Sequence, residues 1–442
     1  MNASEYSLVA LPYEKDLIAR YQTLNDLPGF TLLESMDKTR GRYDIVTACP
    51  YDKVVLNRDD DLADSLIRLR QRMSTCHLPL DLPFQGGAIG FFSYDLAQIL
   101  AGIPCHAPAA VAGSLSLAEL GFYDWAIIAD HVLQQVTLLA VNTHHDTRAI
   151  TQEVLERWHT GDSDFYGGKA VSSFLPLVSK EEYRDVFYAV QHALQKGRCY
   201  QVNYTQPFNA RYDGGSWSVY RRVRASNPVP FAAYMKTEWG NILSFSPERF
   251  IKMENRVLQT SPIKGTERRS SDPDDDKRLM AGLLSSAKNR AENVMIVDMM
   301  RNDFSKIAQV GSVKVNTLCE LQSFAEVHHL VSHVEALCHD AVSPLDAFLS
   351  CFPGASITGA PKLEAMKMIA EQERFARSVY CGSIGYFSSH GCFDTNIAIR
   401  TMLARDNVLS LSAGGGLVVE SDCEEEYQEC LTKIAAISKG IH

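Results

Sequence analysis

The chain lacks the main features of a membrane-spanning, secreted or nucleic-acid-binding protein. Its 442 residues contain no apolar run that approaches the length of about 18 residues needed to cross a membrane. The first residues, MNASEYSLVALPYEKD, have no basic start followed by a long apolar run, so we expect no secretory signal. The formal net charge of −10 argues against a broad basic surface for nucleic acid, although a locally basic pocket for a small anion is compatible with it.

The cysteines form no disulfide or zinc pattern. There are 11 of them, an odd number, scattered from Cys49 to Cys430 without a C-x-x-C pair. Reduced, mostly buried thiols are the simplest interpretation, and they indicate a cytoplasmic protein without a structural zinc site.

Internal repeats and a phosphate-binding P-loop are also missing. The clearest seam is Thr160–Ser173, TGDSDFYGGKAVSS, where Gly, Ser and Asp cluster. It separates an N-terminal subdomain, residues 1–160, from a second region, residues 174–442. We expect 160–173 to be a surface connection and not a boundary between independent domains.

Strand-like and helical patterns do not alternate strictly along the chain, which favours an α+β fold with antiparallel sheets over a parallel βαβ array. The predicted strands are Tyr43–Ala48, Gly87–Phe92, Val136–Val141, Asn241–Phe245, Ser383–Phe387, Ile397–Leu403 and Val408–Ser412. The predicted helices are Leu62–Met73, Lys180–Lys196, Asp276–Met300, Pro361–Glu371 and Cys423–Ser438.

Lys264 follows Pro262 and Ile263, and Gly265-Thr266 separates it from the polar stretch ERRSSDPDDDKR. Glu248 lies in a similar apolar frame, SFSPERF, at a spacing that suits two neighbouring strands joined by a hairpin with Asn255 at its turn. Burial would favour a protonated carboxyl on Glu248 and a neutral amine on Lys264, the pair needed for acid-assisted attack by a nitrogen nucleophile. A salt bridge between two strands is the alternative.

Two predicted helices have carboxylates beside apolar residues. In CEEEYQECLTKIAAI, Glu426, Glu429 and Lys433 lie on one helical face, and in AENVMIVDMM Glu292 borders a strongly apolar stretch. Such helices could share one hard cation, because Mg2+ takes one or two protein carboxylates with waters and oxygens of an anionic substrate. Solvated surface glutamates are the alternative.

Two glycine-containing segments offer backbone N–H groups to an anion. AGGGLVVES contains Gly415 and Gly416 and precedes the last predicted helix, and FPGASITGAPK precedes another helix. A simple glycine turn and a simple helix cap are the alternatives.

A series of motifs, in order along the chain, resembles those of the chorismate-utilising enzymes. They are CYQVNYTQPF, SFSPERF, PIKGT, AENVMIVDMMRND, EVHHLVS, FPGASITGAPK, YCGSIGY, NIAIRT, AGGGLVVES and EYQE. The resemblance is close from Lys180 onward and looser before it, where LLES, RYDIV and LPFQGGAIGFFSYD also fit. It implies a large α+β unit whose two subdomains share a β-sandwich core flanked by helices, with the active site in the cleft and residues 174–442 as the catalytic region.

The resemblance also implies roles for the residues at the matching positions. Glu292 and Glu429, together with Glu426 directly or through water, would bind Mg2+. Lys264 would add to ring C2 of chorismate while Glu248 protonates the departing C4 hydroxyl, and ammonia would then enter at C4 and expel the lysine. Residues expected to bind the carboxylates or to line the pocket are Arg400, Lys433, Gly415, Gly416, Tyr380, Thr358 and His329.

The residue at position 264 separates the activities of the family. Members that make anthranilate or isochorismate usually have a small residue there, whereas lysine is typical of those that make 4-amino-4-deoxychorismate for p-aminobenzoate and folate. We therefore expect amination at C4. The alternatives are amination at C2 with loss of pyruvate, addition of water to give isochorismate, and a non-catalytic binding subunit, the last disfavoured because the implied catalytic residues are all present.

Two binding partners beyond chorismate follow from the resemblance. The chain has no G-x-C-x-G nucleophile elbow, so ammonia would come from a separate glutaminase subunit in a heterodimer. LLES, RYDIV and NPVPF resemble the site at which relatives bind tryptophan, and Ser35 and Tyr43 are the expected contacts. No nucleic-acid or membrane partner is expected.

Overall fold

The computed structural model describes residues 6–73, 75–106, 116–160, 171–324 and 327–441. The strands in these ranges are β1 Ser7–Leu11, β2 Thr31–Glu34, β3 Tyr43–Thr47, β4 Asp52–Leu56, β5 Gly87–Phe92, β6 Ala118–Tyr123, β7 Trp125–Asp130, β8 Gln135–Ala140, β9 Leu175–Pro176, β10 Gln201–Arg211, β11 Phe231–Thr237, β12 Gly240–Ser246, β13 Arg249–Glu254, β14 Val257–Thr260, β15 Ile263–Arg268, β16 Lys314–Ser323, β17 Val327–Leu337, β18 Gly359–Ala360, β19 Ser383–Ser388, β20 Phe393–Asn396, β21 Thr401–Arg405 and β22 Val408–Leu417.

The α-helices in the same ranges are α1 Ile18–Gln22, α2 Leu62–Arg72, α3 Tyr94–Leu100, α4 Thr147–Thr160, α5 Lys180–Gln195, α6 Ser216–Ser226, α7 Pro273–Ser285, α8 Ala287–Ser305, α9 Pro344–Cys351, α10 Lys362–Gln372 and α11 Cys423–Ser438. A short 3-10 turn spans Ala355–Ile357. Within the described part of the chain, no helix combines the length and the apolar character that crossing a bilayer requires.

Two antiparallel sheets contain these strands. The first has the order β1-β8-β7-β3-β2-β11-β12-β21-β22-β10-β18, with β9 beside β10, and the second has the order β15-β17-β14-β13-β20-β19-β5-β6-β4, with β16 beside β17. Both sheets combine early and late parts of the chain, since β2 pairs with β11 and β5 pairs with β19. The predicted α+β class with antiparallel sheets is confirmed. Most of the predicted seam, residues 161–170, lies outside the described residues.

The two sheets pack face to face through alternating side chains. On β5, Ile89 packs in a cluster with Ile128 of the first sheet, and Phe91 packs in a second cluster with Met235 and Leu403 of the first sheet. All of these side chains are buried. Because side chains two residues apart on a strand share one face, the sequence GAIGFF supplies one side of the sandwich core.

Most predicted elements lie within one or two residues of those observed, with three exceptions. The strand predicted as Val408–Ser412 continues to Leu417, through the three glycines. The single predicted helix Asp276–Met300 is wrong, because Ser286 has an extended backbone and its side chain accepts a hydrogen bond from the Asn289 N–H at the start of α8. The strand predicted to begin at Ile397 begins at Thr401, since Arg400 has a φ of 52°.

The hairpin predicted near Asn255 is present, but it does not join the strands that were expected. Asn255 and Arg256 have φ values of 49° and 66° and connect β13 to β14, as in a type I′ turn. Lys264 lies on β15, which pairs with β17. The prediction that Glu248 and Lys264 lie on neighbouring strands is therefore wrong, because β14 and β17 separate β13 from β15.

Candidate active site

A cleft of about 510 Å3 brings together segments that are far apart in the sequence. Its walls come from β10, β15, β22, α8, α11 and the 3-10 turn. The predicted site residues that line it are Glu248, Lys264, Glu292, Tyr380, Arg400, Gly415, Gly416, Glu426, Glu429 and Lys433.

A β-bulge presents Lys264 to the cleft. Ile263 is opposite Val331 and Thr266 is opposite His329, so three steps along β15 match two steps along β17. Gly265 has a φ of +83°, and a Cβ atom on it would lie 3.1 Å from Cγ of Asn289. The glycine therefore permits both the bulge and the close approach of α8 behind the lysine.

Glu248 is placed to remain protonated at a higher pH than an ordinary glutamate. Burial raises the pKa of its carboxyl, while the hydroxyl of Ser356 and the charge of Lys264 oppose that rise. The Ser356 hydroxyl donates to Oε1 of Glu248 over 2.8 Å. The side chain has the properties of a general acid that faces a lysine across the cleft.

Three carboxylates face the cleft from α8 and α11. Lys433 Nζ lies 2.6 Å from Oε1 of Glu429, and Ser421 donates to Glu426 over 2.7 Å. Burial raises the pKa of Glu426, and the nearby charge of Glu429 raises it further. A Cβ atom on Gly415 would lie 2.7 Å from Oε2 of Glu426, so the glycine makes room for that carboxylate.

The donor set formed by Glu292, Glu426 and Glu429 suits a hard divalent cation. Within the described ranges, only His144, His145 and Asp146 have three ligand atoms within 4.8 Å of one another. The glutamates thus form an open set and not a closed cage. That arrangement fits Mg2+, which keeps several waters and takes one or two protein carboxylates together with substrate oxygens.

The cationic side of the cleft contains Arg400, whose side chain has no hydrogen-bond or ion-pair partner among the described residues. Burial and the neighbouring Arg40 lower the pKa of Arg400, although part of its surface is open to the cleft. An unpaired guanidinium in such a position is suited to a substrate carboxylate.

Two predicted pocket residues lie behind the wall and do not line it. Thr358 is buried, its hydroxyl donates to the Gly354 carbonyl over 2.8 Å, and its own carbonyl accepts from the Asn203 N–H. His329 contacts Oγ1 of Thr266 through Nδ1 at 2.8 Å. Burial, Arg40 and Arg400 lower the pKa of His329 to about 4, so its imidazole is neutral at neutral pH.

Sequence reasoning missed several cleft residues, namely Asn203, Thr266, Lys288, Asn289 and Ser356. Four of them had a usable signal, and two of these, Asn203 and Thr266, belong to the quoted CYQVNYTQPF and PIKGT motifs. Lys288 is four residues before Glu292 and therefore on the same helical face, and Ser356 belongs to the quoted FPGASITGAPK motif.

Ser35 and Tyr43 line a second cavity, of about 190 Å3, between β2, β3, β11 and β19. Ser35 is 2% exposed, and its Oγ is buried without a hydrogen-bond partner in the described structure. Phe231, from the NPVPF motif, lines the same cavity. The tryptophan site stays a prediction.

The fold and the cleft define a chorismate-binding enzyme. The family model described as chorismate binding enzyme matches residues 29–439, and the chain belongs to this family. The resemblance inferred from the motifs is confirmed.

Within this family, the chain is similar to several proteins whose activity is named. The chain is 40% identical to aminodeoxychorismate synthase component 1 of Salmonella typhimurium, covering 98% of this chain and 97% of the relative. The corresponding protein of Escherichia coli is also 40% identical, with 98% of each chain covered. Among solved structures, anthranilate synthase component I from Streptococcus pneumoniae has a TM-score of 0.81 and 26% identity, covering 90% of this chain and 92% of that one.

We predict that Gly265→Ala lowers turnover of chorismate at least tenfold, because the new Cβ displaces Asn289 and the bulge that presents Lys264. Gly311→Ala is the matched control, since Gly311 has a φ of +77° with no atom near its missing Cβ. Both variants should lose about 1 kcal/mol of unfolding free energy from the left-handed backbone, but only Gly265→Ala should lose activity. Equal activity of the two variants would show that the bulge does not position Lys264.

Proposed function

We propose that this chain converts chorismate and ammonia to 4-amino-4-deoxychorismate. The observation that carries the proposal is the presence of Lys264 and Glu248 in one cleft, in a chain related over nearly its whole length to aminodeoxychorismate synthase component 1. The lysine supplies a nucleophile and the glutamate supplies a proton.

Substitution at C4 would proceed in two displacements. The amine of Lys264 adds to ring C2, the two conjugated ring double bonds shift toward C4, and the bond from C4 to its hydroxyl breaks as Glu248 protonates the oxygen, which leaves as water. Ammonia then adds to C4, the two double bonds shift back, and the bond between C2 and Lys264 breaks. The protons lost by the two amines restore the lysine and the acid, so the net change is replacement of hydroxyl by amino with the enolpyruvyl group retained.

Glu292 and Glu429, with Glu426 directly or through water, would bind Mg2+ and orient one carboxylate of the substrate. When bound, the ion would supply Lewis-acid stabilisation of the negative charge on that carboxylate. Arg400 and Lys433 would bind carboxylate oxygens, and the N–H groups of Gly415 and Gly416 would add to this binding. Tyr380 would complete the wall, with Thr358 and His329 supporting it from behind.

Ammonia would come from a separate glutaminase subunit. Among the motifs of this sequence there is no glutaminase nucleophile elbow, and the names of the relatives denote one component of a larger enzyme. The isolated chain would then use ammonium salts but not glutamine.

The decisive experiment is to incubate the pure chain with chorismate, Mg2+ and either ammonium chloride or glutamine, and to identify the products by mass spectrometry with a pyruvate assay. We expect an aminated product that retains the enolpyruvyl group, with ammonium only. Lys264→Ala should lose the covalent adduct and nearly all activity, whereas Lys288→Ala should retain the adduct. Release of pyruvate with anthranilate would establish the alternative reaction, and turnover with glutamine alone would exclude the separate glutaminase.

We expect Glu429→Gln to weaken Mg2+ binding at least tenfold in a calorimetric titration, because a neutral amide is a poorer ligand for a hard cation. Glu425→Gln is the matched control, being exposed on the same helix but outside the cleft lining. Unchanged Mg2+ affinity in Glu429→Gln would show that this residue does not bind the metal.

We propose tryptophan as the occupant of the second cavity, because the unpartnered hydroxyl of Ser35 and the ring of Tyr43 offer polar and aromatic contacts. After denaturation and refolding, calorimetry should detect tryptophan binding to the wild-type chain and not to Ser35→Val. Absence of heat in the refolded wild type would contradict this assignment.

A further inference from the structure

A buried ion pair lies directly behind the wall of the cleft. Arg377 and Glu373 have side chains that are only 2% and 6% exposed. Nε of Arg377 donates to Oε2 of Glu373 over 2.9 Å, and Nη2 donates to Oε1 over 2.7 Å. Replacing such a pair by apolar residues is often neutral or stabilising, so stability alone does not account for it.

The remaining hydrogen bonds of the pair go to the backbone of two cleft-lining segments. Nη1 of Arg377 donates to the carbonyl of Ile357 over 3.1 Å, and Nη2 donates to the carbonyl of Asn203 over 2.5 Å. Oε1 of Glu373 accepts from the Thr205 N–H over 3.1 Å. The pair thereby connects β10 to the 3-10 turn, and both Asn203 and Ile357 line the cleft.

The 3-10 turn is also the segment that contacts the proposed catalytic acid. Ser356 precedes Ile357 in this turn, and its hydroxyl donates to Glu248. The Ile357 carbonyl, which accepts the hydrogen bond from Arg377, is therefore one residue from Ser356, whose hydroxyl contacts Glu248.

We infer that Arg377, supported by Glu373, is a positioning residue for the acid step: it sets the turn that places the Ser356 hydroxyl on Glu248. This inference rests on the proposed function, in which Glu248 protonates the leaving hydroxyl. Lys362, at the start of α10, is bonded instead to Asp303 and to the Cys351 carbonyl, so it does not share this role.

The expected effect on pH dependence has a definite sign. Ser356 on the turn and Lys264 on β15 are the groups that favour the ionised form of Glu248 against burial. Loss of the Ser356 hydrogen bond removes one of them, so the acid form persists to higher pH. The alkaline limb of kcat/KM, where the proton donor is lost, should move upward by about one pH unit.

The experiment compares pH profiles of Ser356→Ala, Ser356→Thr, Arg377→Lys and Glu373→Gln with the wild type. Ser356→Ala should shift the alkaline limb, Ser356→Thr should restore it, and Arg377→Lys should shift it in the same direction because lysine cannot reach both carbonyls and the carboxylate. Arg224→Lys is the matched control: Arg224 pairs with the buried Glu34 away from the cleft, so it should lose stability without a shift.

The double variant Ser356→Ala/Arg377→Lys tests whether the two residues act on the same group. Its pH shift should equal that of Ser356→Ala alone, whereas independent effects would add. The inference would be overturned if the alkaline limb of kcat/KM did not shift in Ser356→Ala. It would also be overturned if that limb stayed at its wild-type pH in Arg377→Lys and Glu373→Gln. If Arg377→Lys does not fold, Glu373→Gln gives the same test with a smaller change of shape.

A second readout separates this inference from the proposed function. The protonated carboxyl band that disappears in Glu248→Gln can be titrated by infrared spectroscopy in the ligand-free chain, without turnover. A shifted titration in Ser356→Ala and Arg377→Lys supports the positioning role even if the product assay excludes amination at C4. Amination at C4 with an unchanged titration would retain the function and reject the positioning role.

Discussion

The cleft places four basic and four acidic side chains around one volume of about 510 Å3, and the surrounding structure has to keep these groups both accessible and ordered. The basic groups are Lys264, Lys288, Arg400 and Lys433, and the acidic groups are Glu248, Glu292, Glu426 and Glu429. Because the two sets balance, the dianionic substrate and the divalent cation of the proposed reaction would enter together without leaving net charge buried. The four basic and four acidic groups of the cleft cancel, so the net charge of −10 of the whole chain comes from residues outside the cleft lining.

Backbone geometry, more than side-chain size, lets these charges approach one another. β10 and β22 pair over ten residues, which brings Asn203 opposite Gly416 and Tyr204 opposite Gly415. At Gly415 the missing Cβ leaves space for a carboxylate of α11, and at Gly265 a left-handed backbone produces the bulge next to Lys264. In both places a side chain would occupy the position of a charged group or of the helix that supports it.

The sequence predicted the residues of the cleft better than it predicted the order of the strands that bring them together. Helical periodicity placed Glu426, Glu429 and Lys433 on one face, and the family motifs identified most of the cleft residues. Strand order could not be derived in this way, because the pairing of β15 with β17 depends on contacts distant in sequence. The same limit applies to Arg377, which the sequence presents as one more arginine, since its role depends on carbonyl groups from two remote segments.

Glu248 shows why the residues behind the wall of the cleft matter for the proposed reaction. Burial alone would raise the pKa of its carboxyl and favour a permanently protonated group, which would be a weaker proton donor. Ser356 and Lys264 oppose this effect of burial, which in the proposed mechanism would let Glu248 both donate and recover a proton within one cycle. This balance depends on the position of the Ser356 hydroxyl, which donates to Glu248 from the 3-10 turn. The buried ion pair behind the turn, through the hydrogen bond from Arg377 to the Ile357 carbonyl, is the means by which the fold can hold that position.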